Sequence, residues 1–161
     1  EYVCQVEEAD IIVLAKSTGV LEFTTGTYGQ EICVDSIIKG NEWIDENETC
    51  WIWRSYGMEV MDGQIVYRNV LNLMQDDGTY LVFLNSNQLN QYRTEKEFQT
   101  ASEYFGYLPI EGAKVQPIKE NQRNVLYKEW SEIPVFISSE KVAAAWNEIA
   151  EMLLNKFEPD A

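Results

Sequence analysis

The chain has 161 residues, enough for one domain that buries roughly 70% of its unfolded surface. Hydrophobic residues make up 45% of it, an ordinary share for a globular domain. Against 27 acidic residues stand 12 basic ones, and the resulting net charge of −15 repels nucleic-acid phosphates and anionic lipid surfaces.

The chain has no His, which removes His-based zinc sites, Ser–His and Cys–His nucleophiles and His acid–base catalysis. Cys4, Cys33 and Cys50 lack metal-ligand spacing, and an odd count leaves at least one thiol unpaired within the chain. A Cys33–Cys50 bridge and three buried free thiols both remain open. No apolar window of ~18 residues offers a membrane-spanning helix. There is no signal peptide, and the chain opens on Glu1 rather than Met, as a mature or trimmed form does. Any signal or lipid-anchor segment is expected to lie outside it.

Residues 1–8 form a lead-in with the character of a helical turn. Residues 9–16 (ADIIVLAK) then read as a β-strand with two apolar faces. Ile11, Val13 and Ala15 lie on one side, Ile12 and Leu14 on the other, so both sides need cover. Val20, Leu21 and Phe23 offer a continuation beyond Gly19, and residues 26–29 read as a hairpin turn. Residues 31–38 are a second strand, ended by Lys39-Gly40, and residues 41–49 a polar, acidic connection. Residues 50–56 (CWIWRSY) are a third strand, with Trp51 and Trp53 on one face and Cys50, Ile52 and Arg54 on the other.

Asp62-Gly63 is a turn before a short strand at 64–67, and residues 70–74 lead apolar into the turn Asp76-Asp77-Gly78. Residues 80–84 (YLVFL) form a second strand with two apolar faces, the expected partner of 9–16. Residues 85–102, polar and without a strong period, read as a long surface excursion. Residues 104–110 and 113–118 suggest a hairpin around Glu111-Gly112, residues 121–124 a loop, and residues 134–137 a last short strand. The helix predicted at 139–157 has Ser138 or Ser139 as its cap and Pro159 as its stop. Its apolar stripe is Val142, Trp146, Ile149, Leu153 and Phe157, expected to dock near Ile12 and Leu14. The whole chain, 1–161, reads as a single domain.

The ADIIV strand, the strand end Ile37-Ile38-Lys39-Gly40 and the Tyr80-Leu81 strand come in an order that resembles netrin-like, OB-fold proteins of the bacterial cell surface. It is also similar to the N-terminal domain of tissue inhibitors of metalloproteinases. The resemblance covers about the first half of the chain. It implies a mainly β fold, an OB-fold-like Greek-key antiparallel β-barrel with the C-terminal helix packed outside. It implies export as a secreted protein or lipoprotein. It does not carry inhibition across, because three residues precede Cys4 and the inhibitors' dense disulfide framework is absent.

The candidate ligand-binding residues are Trp51, Trp53 and Arg54, the two indoles as an aromatic platform on the barrel. Packing under the helix or the long loop is the plainer use of such a pair. Asp45, Glu46 and Glu48, and separately Asp76-Asp77, carry hard oxygen ligands of the type that hold calcium, without EF-hand spacing. A solvated acidic loop explains them more simply, so no metal is assigned. Glu7 and Glu8 are paired carboxylates that nothing positions for acid–base work, and no Gly-rich phosphate loop is present. No catalytic residue and no cofactor is assigned. The expectation is a non-catalytic, exported domain that binds a protein or small ligand at the cell surface, and no nucleic acid. The alternatives are a protease-inhibitor-like module and an enzyme relying on carboxylate, Cys or Tyr chemistry.

Overall fold

A computed structural model describes residues 2–24, 27–55, 58–61, 64–67, 71, 73–75, 78–86, 94–111, 125–126 and 140–157. A short helix, α1 (Tyr2–Glu7), leads into two long strands, β1 (Ile11–Thr24) and β2 (Thr27–Lys39). β3 (Thr49–Ser55), β6 (Thr79–Asn85) and β7 (Lys96–Thr100) complete the main set. β8 (Tyr107–Pro109) is added to the edge of β6. β4 (Met58–Met61), β5 (Gln64–Tyr67) and β9 (Val125–Leu126) form a separate small sheet. α2 (Glu140–Phe157) is the C-terminal helix.

The main sheet runs β1-β2-β3-β7-β6, and β6 pairs back onto β1, so five strands close into a ring. Along it β6-β1-β2-β3 lie side by side, all antiparallel, with β6 returning beside β1 as in a Greek key. The ring is barrel-like and mainly β, with a helix outside, and in that sense OB-fold-like. It is not antiparallel throughout, as the sequence led one to expect: β3 and β7 run parallel. The reason is parity. Strand directions cannot alternate all the way round a ring of five.

The two-sided apolarity of 9–16 and 80–84 has the expected cause. Ile11 pairs with Leu84, Val13 with Val82 and Ala15 with Tyr80 on the inner face. Ile12 pairs with Phe83 and Leu14 with Leu81 on the outer face. All ten residues are buried. From the other side of the ring Val34, Ile32, Cys50, Ile52 and Phe98 join the same core.

The helix covers the outer face. The Phe157 ring meets the Phe83 ring edge-on at 5.7 Å, and Trp146 stacks on Phe105 at 5.6 Å. Trp146 Nε1 donates to the Tyr104 carbonyl at 2.8 Å, and Lys156 pairs with Glu7 at 2.7 Å, tying α2 to α1. The docked stripe keeps Trp146, Ile149, Leu153 and Phe157 of the expected one, loses Val142 and adds two alanines. Ala143, Trp146, Ala150 and Leu153 are buried, whereas Val142 is 56% exposed. Ala143 and Ala150 join the core cluster.

Two other differences concern strands. β7 lies inside the stretch expected to be a surface excursion, with Phe98 fully buried. Its one apolar residue among KEFQT gave no period to read. The hairpin pairs Thr24 with Thr27, so Thr27, Tyr28 and Gly29 belong to β2 rather than to a turn. The Asp62-Gly63 turn, the Asp76-Asp77 pair, the segments 113–118, 121–124 and 134–137, the Ser138 or Ser139 cap and Pro159 lie outside the described residues.

Candidate binding surface

Of the three candidate ligand residues, the structure brings two together and sends the third elsewhere. Trp51 and Trp53 project from the outer face of β3 and stack, with ring centroids 6.1 Å apart and planes 26° from parallel. Trp51 is only 5% exposed, so it offers no open platform. Trp53 is half-buried, and its indole lies flat on Gly29 of β2, where an added Cβ would sit 2.9 Å from the ring.

Arg54 points into the ring of strands instead. It is 4% exposed, and Nη1 donates to the Leu71 carbonyl at 3.3 Å and to the Tyr107 hydroxyl at 3.1 Å. Nη2 donates to the Glu103 carbonyl at 2.7 Å, and the guanidinium lies 5.4 Å from the Tyr107 ring centroid. Burial pushes the Tyr107 phenol well above its ordinary range, with Tyr28 adding to the effect and Arg54 opposing it. Arg54 therefore joins two chain segments across one end of the ring. Gln30 acts alongside: its Nε2 donates to the Met74 carbonyl at 3.0 Å and its Oε1 accepts from the Met74 N–H at 3.1 Å. The Tyr80 hydroxyl accepts from the Gln75 N–H at 2.9 Å. Buried polar side chains with partners on both sides are structural clamps.

Among the described side chains, Cys33 and Cys50 are free thiols. Cys50 aligns with Ile32 and lies in the core, while Cys33 aligns with Thr49 on the other face of the same strand pair. Side chains on opposite faces of a sheet cannot bridge. Burial pushes the Cys50 thiol up to about 12, with the Glu48 charge adding to the effect, so it is no nucleophile at neutral pH. Glu7 is held by Lys156. Among the described residues, no three Cys, Asp or Glu side chains converge on a metal position.

The opposite end of the ring carries a feature that sequence reading passed over. The connection between β2 and β3 is a stiff loop. Gly40 takes φ +97° and lies so close to β1 that a Cβ there would be 2.7 Å from the Asp10 carbonyl oxygen. Trp43 N–H donates to the Gly40 carbonyl at 2.9 Å, and Asp45 N–H to Glu48 Oε2 at 2.9 Å. Asn47 adopts the left-handed φ of 64° while its N–H reaches the Val34 carbonyl at 2.7 Å. Asn is among the few residues that tolerate that conformation. Ile44 anchors the loop inward, and Lys96 Nζ donates to the Trp43 carbonyl at 2.8 Å while pairing with Glu48 at 3.1 Å.

On this frame Trp43 stands 39% exposed, and Ile38, two residues before Gly40, is exposed to the same extent. Glu42, Asp45 and Glu46 are exposed around it. Asp10, at the start of β1, accepts from Ser86 N–H at 3.0 Å and from Ser86 Oγ at 2.8 Å. These bonds hold its carboxyl below the usual value. The signal in the sequence was a lone Trp within an acidic polar connection. Periodicity gives such a residue no weight, since a loop has no face.

Comparison with protein-family models finds no match, and comparison with curated proteins finds none either.

Proposed function

We propose that the chain is a non-catalytic binding or assembly domain, exported and acting at the cell surface, and that it engages a protein partner through the Trp43 loop. The observation that carries the reading is the large, exposed indole on a loop whose backbone is pinned at both ends. Trp is the residue type most often found to anchor a protein interface, and a rigid mount lowers the ordering cost of binding. A small molecule is better served by concavity than by a single projecting ring. The cell-surface setting rests on the resemblance of residues 9–13, 37–40 and 80–84 to netrin-like proteins. The protease-inhibitor alternative has no comparable support, since Cys4 lies within α1.

The test is a photo-crosslinking tryptophan analogue, which keeps the indole, at position 43 of the full protein in its own cells. The expected result is a discrete covalent adduct that is missing when the same group replaces Glu151, exposed on α2. No adduct at 43, or the same adducts from both positions, overturns the reading.

A further inference from the structure

Resting on that reading of Trp43, we infer that its partner presents a basic segment, with an apolar side chain meeting Trp43 and Lys or Arg side chains meeting Glu42, Asp45 and Glu46. The loop offers the two halves of such a contact together. Trp43 and Ile38 supply apolar surface, each 39% exposed. Glu42, Asp45 and Glu46 supply anionic charge that is exposed within three positions of the indole. Glu48, the fourth acid of the loop, is turned inward to Lys96 and to the Asp45 N–H, so it builds the loop rather than the surface. Lys39, before Gly40, is the one exposed cation of residues 38–48.

Charge decides between occupants. A second copy of this chain would bring the same three carboxylates face to face, within a molecule of net charge −15. An anionic lipid surface is repelled for the same reason. A cationic segment gains from both the local acids and the whole field, which steers its approach and speeds association. The indole then contributes a cation–π contact as well as apolar area.

The probe is a labelled short peptide alternating lysine and leucine, titrated by fluorescence anisotropy, with a glutamate–leucine peptide as its counterpart. The inference expects binding of the lysine peptide that weakens with salt. Trp43→Ala should weaken it by about tenfold or more, and so should Glu42→Gln with Glu46→Gln; a tenfold loss is about 1.4 kcal/mol. All three side chains are exposed, so the fold is retained. Glu148→Gln with Glu151→Gln, exposed on α2, removes the same charge elsewhere and should leave binding within about twofold. Three results overturn the inference: no binding of the lysine peptide, equal binding of the acidic one, or equal weakening by the α2 pair. An adduct at position 43 whose partner peptide is neutral or acidic overturns it while the binding reading stands. Absence of any adduct removes both.

Discussion

Cys50 shows burial deciding the chemistry of one side chain. The fold prefers the neutral thiol, whose folded-state pKa is pushed up to about 12. Its contribution to stability is complete below the unfolded-state value of about 8.5 and is lost as pH climbs toward the folded-state one. At mildly alkaline pH a thiol reagent should label Cys50 only as fast as the protein unfolds, and Cys50→Ala should flatten the alkaline limb of the melting-temperature profile. Rapid labelling in the native protein, mapped by mass spectrometry, would contradict the burial. Gly29 is a second single-residue case, where Trp53 lies flat because no Cβ intervenes. Gly29→Ala should displace the indole and cost about 1–3 kcal/mol in chemical denaturation, with a shift in tryptophan emission. Neither consequence was legible in the sequence. Gly29 looked like a turn residue because Gly26-Thr27-Tyr28-Gly29 reads as a hairpin turn, and only the pairing with β1 and β3 makes it the floor under an aromatic ring.

Among the elements, α2 was legible in its existence and bounds, and four of the five residues of its apolar stripe pack on the core, with Val142 the exception. Counting hydrophobicity favours Val142 over Ala143 and Ala150. Packing buries the alanines as well. The expected and observed stripes share Trp146, Ile149, Leu153 and Phe157, and the Phe157 ring meets Phe83, the pairing partner of Ile12. Trp146→Ala should therefore cost about 3–5 kcal/mol, at every protein concentration and with unchanged mass in sedimentation. Val142→Ala should stay within about 0.5 kcal/mol. A costly Val142 change, or a melting temperature that rises with concentration, would place α2 in an intermolecular contact instead. β7 was illegible for a different reason. A closing strand with one apolar residue depends on its neighbours for burial: Phe98 faces Ile52 across the pair, and Glu97 faces Trp51. Trp43 was illegible because its meaning lies in the frame beneath it, five hydrogen-bonded positions that no local pattern announces.

For the whole molecule, the acidity outweighs the fold. OB-like rings in other settings hold nucleic acid with basic grooves and stacked aromatics. Here Trp51 is buried and the net charge is −15. A gel-shift or anisotropy titration at physiological salt should show no binding of DNA or RNA, and salt-sensitive micromolar affinity would refute the charge argument. The closed ring also sets a clock. Its seam joins Ile11 to Leu84, and the ring's last strand in sequence, β7, must align with β3 across the whole intervening chain. Contacts between such distant positions form slowly, and refolding after dilution from denaturant should take milliseconds to seconds rather than microseconds. Until β7 has been synthesised the ring has no closing strand, and β3 and β6 must wait with their facing edges open. In a chain that leaves the cell, as proposed here, that wait is useful. It keeps the polypeptide threadable through a secretion channel until its far end arrives.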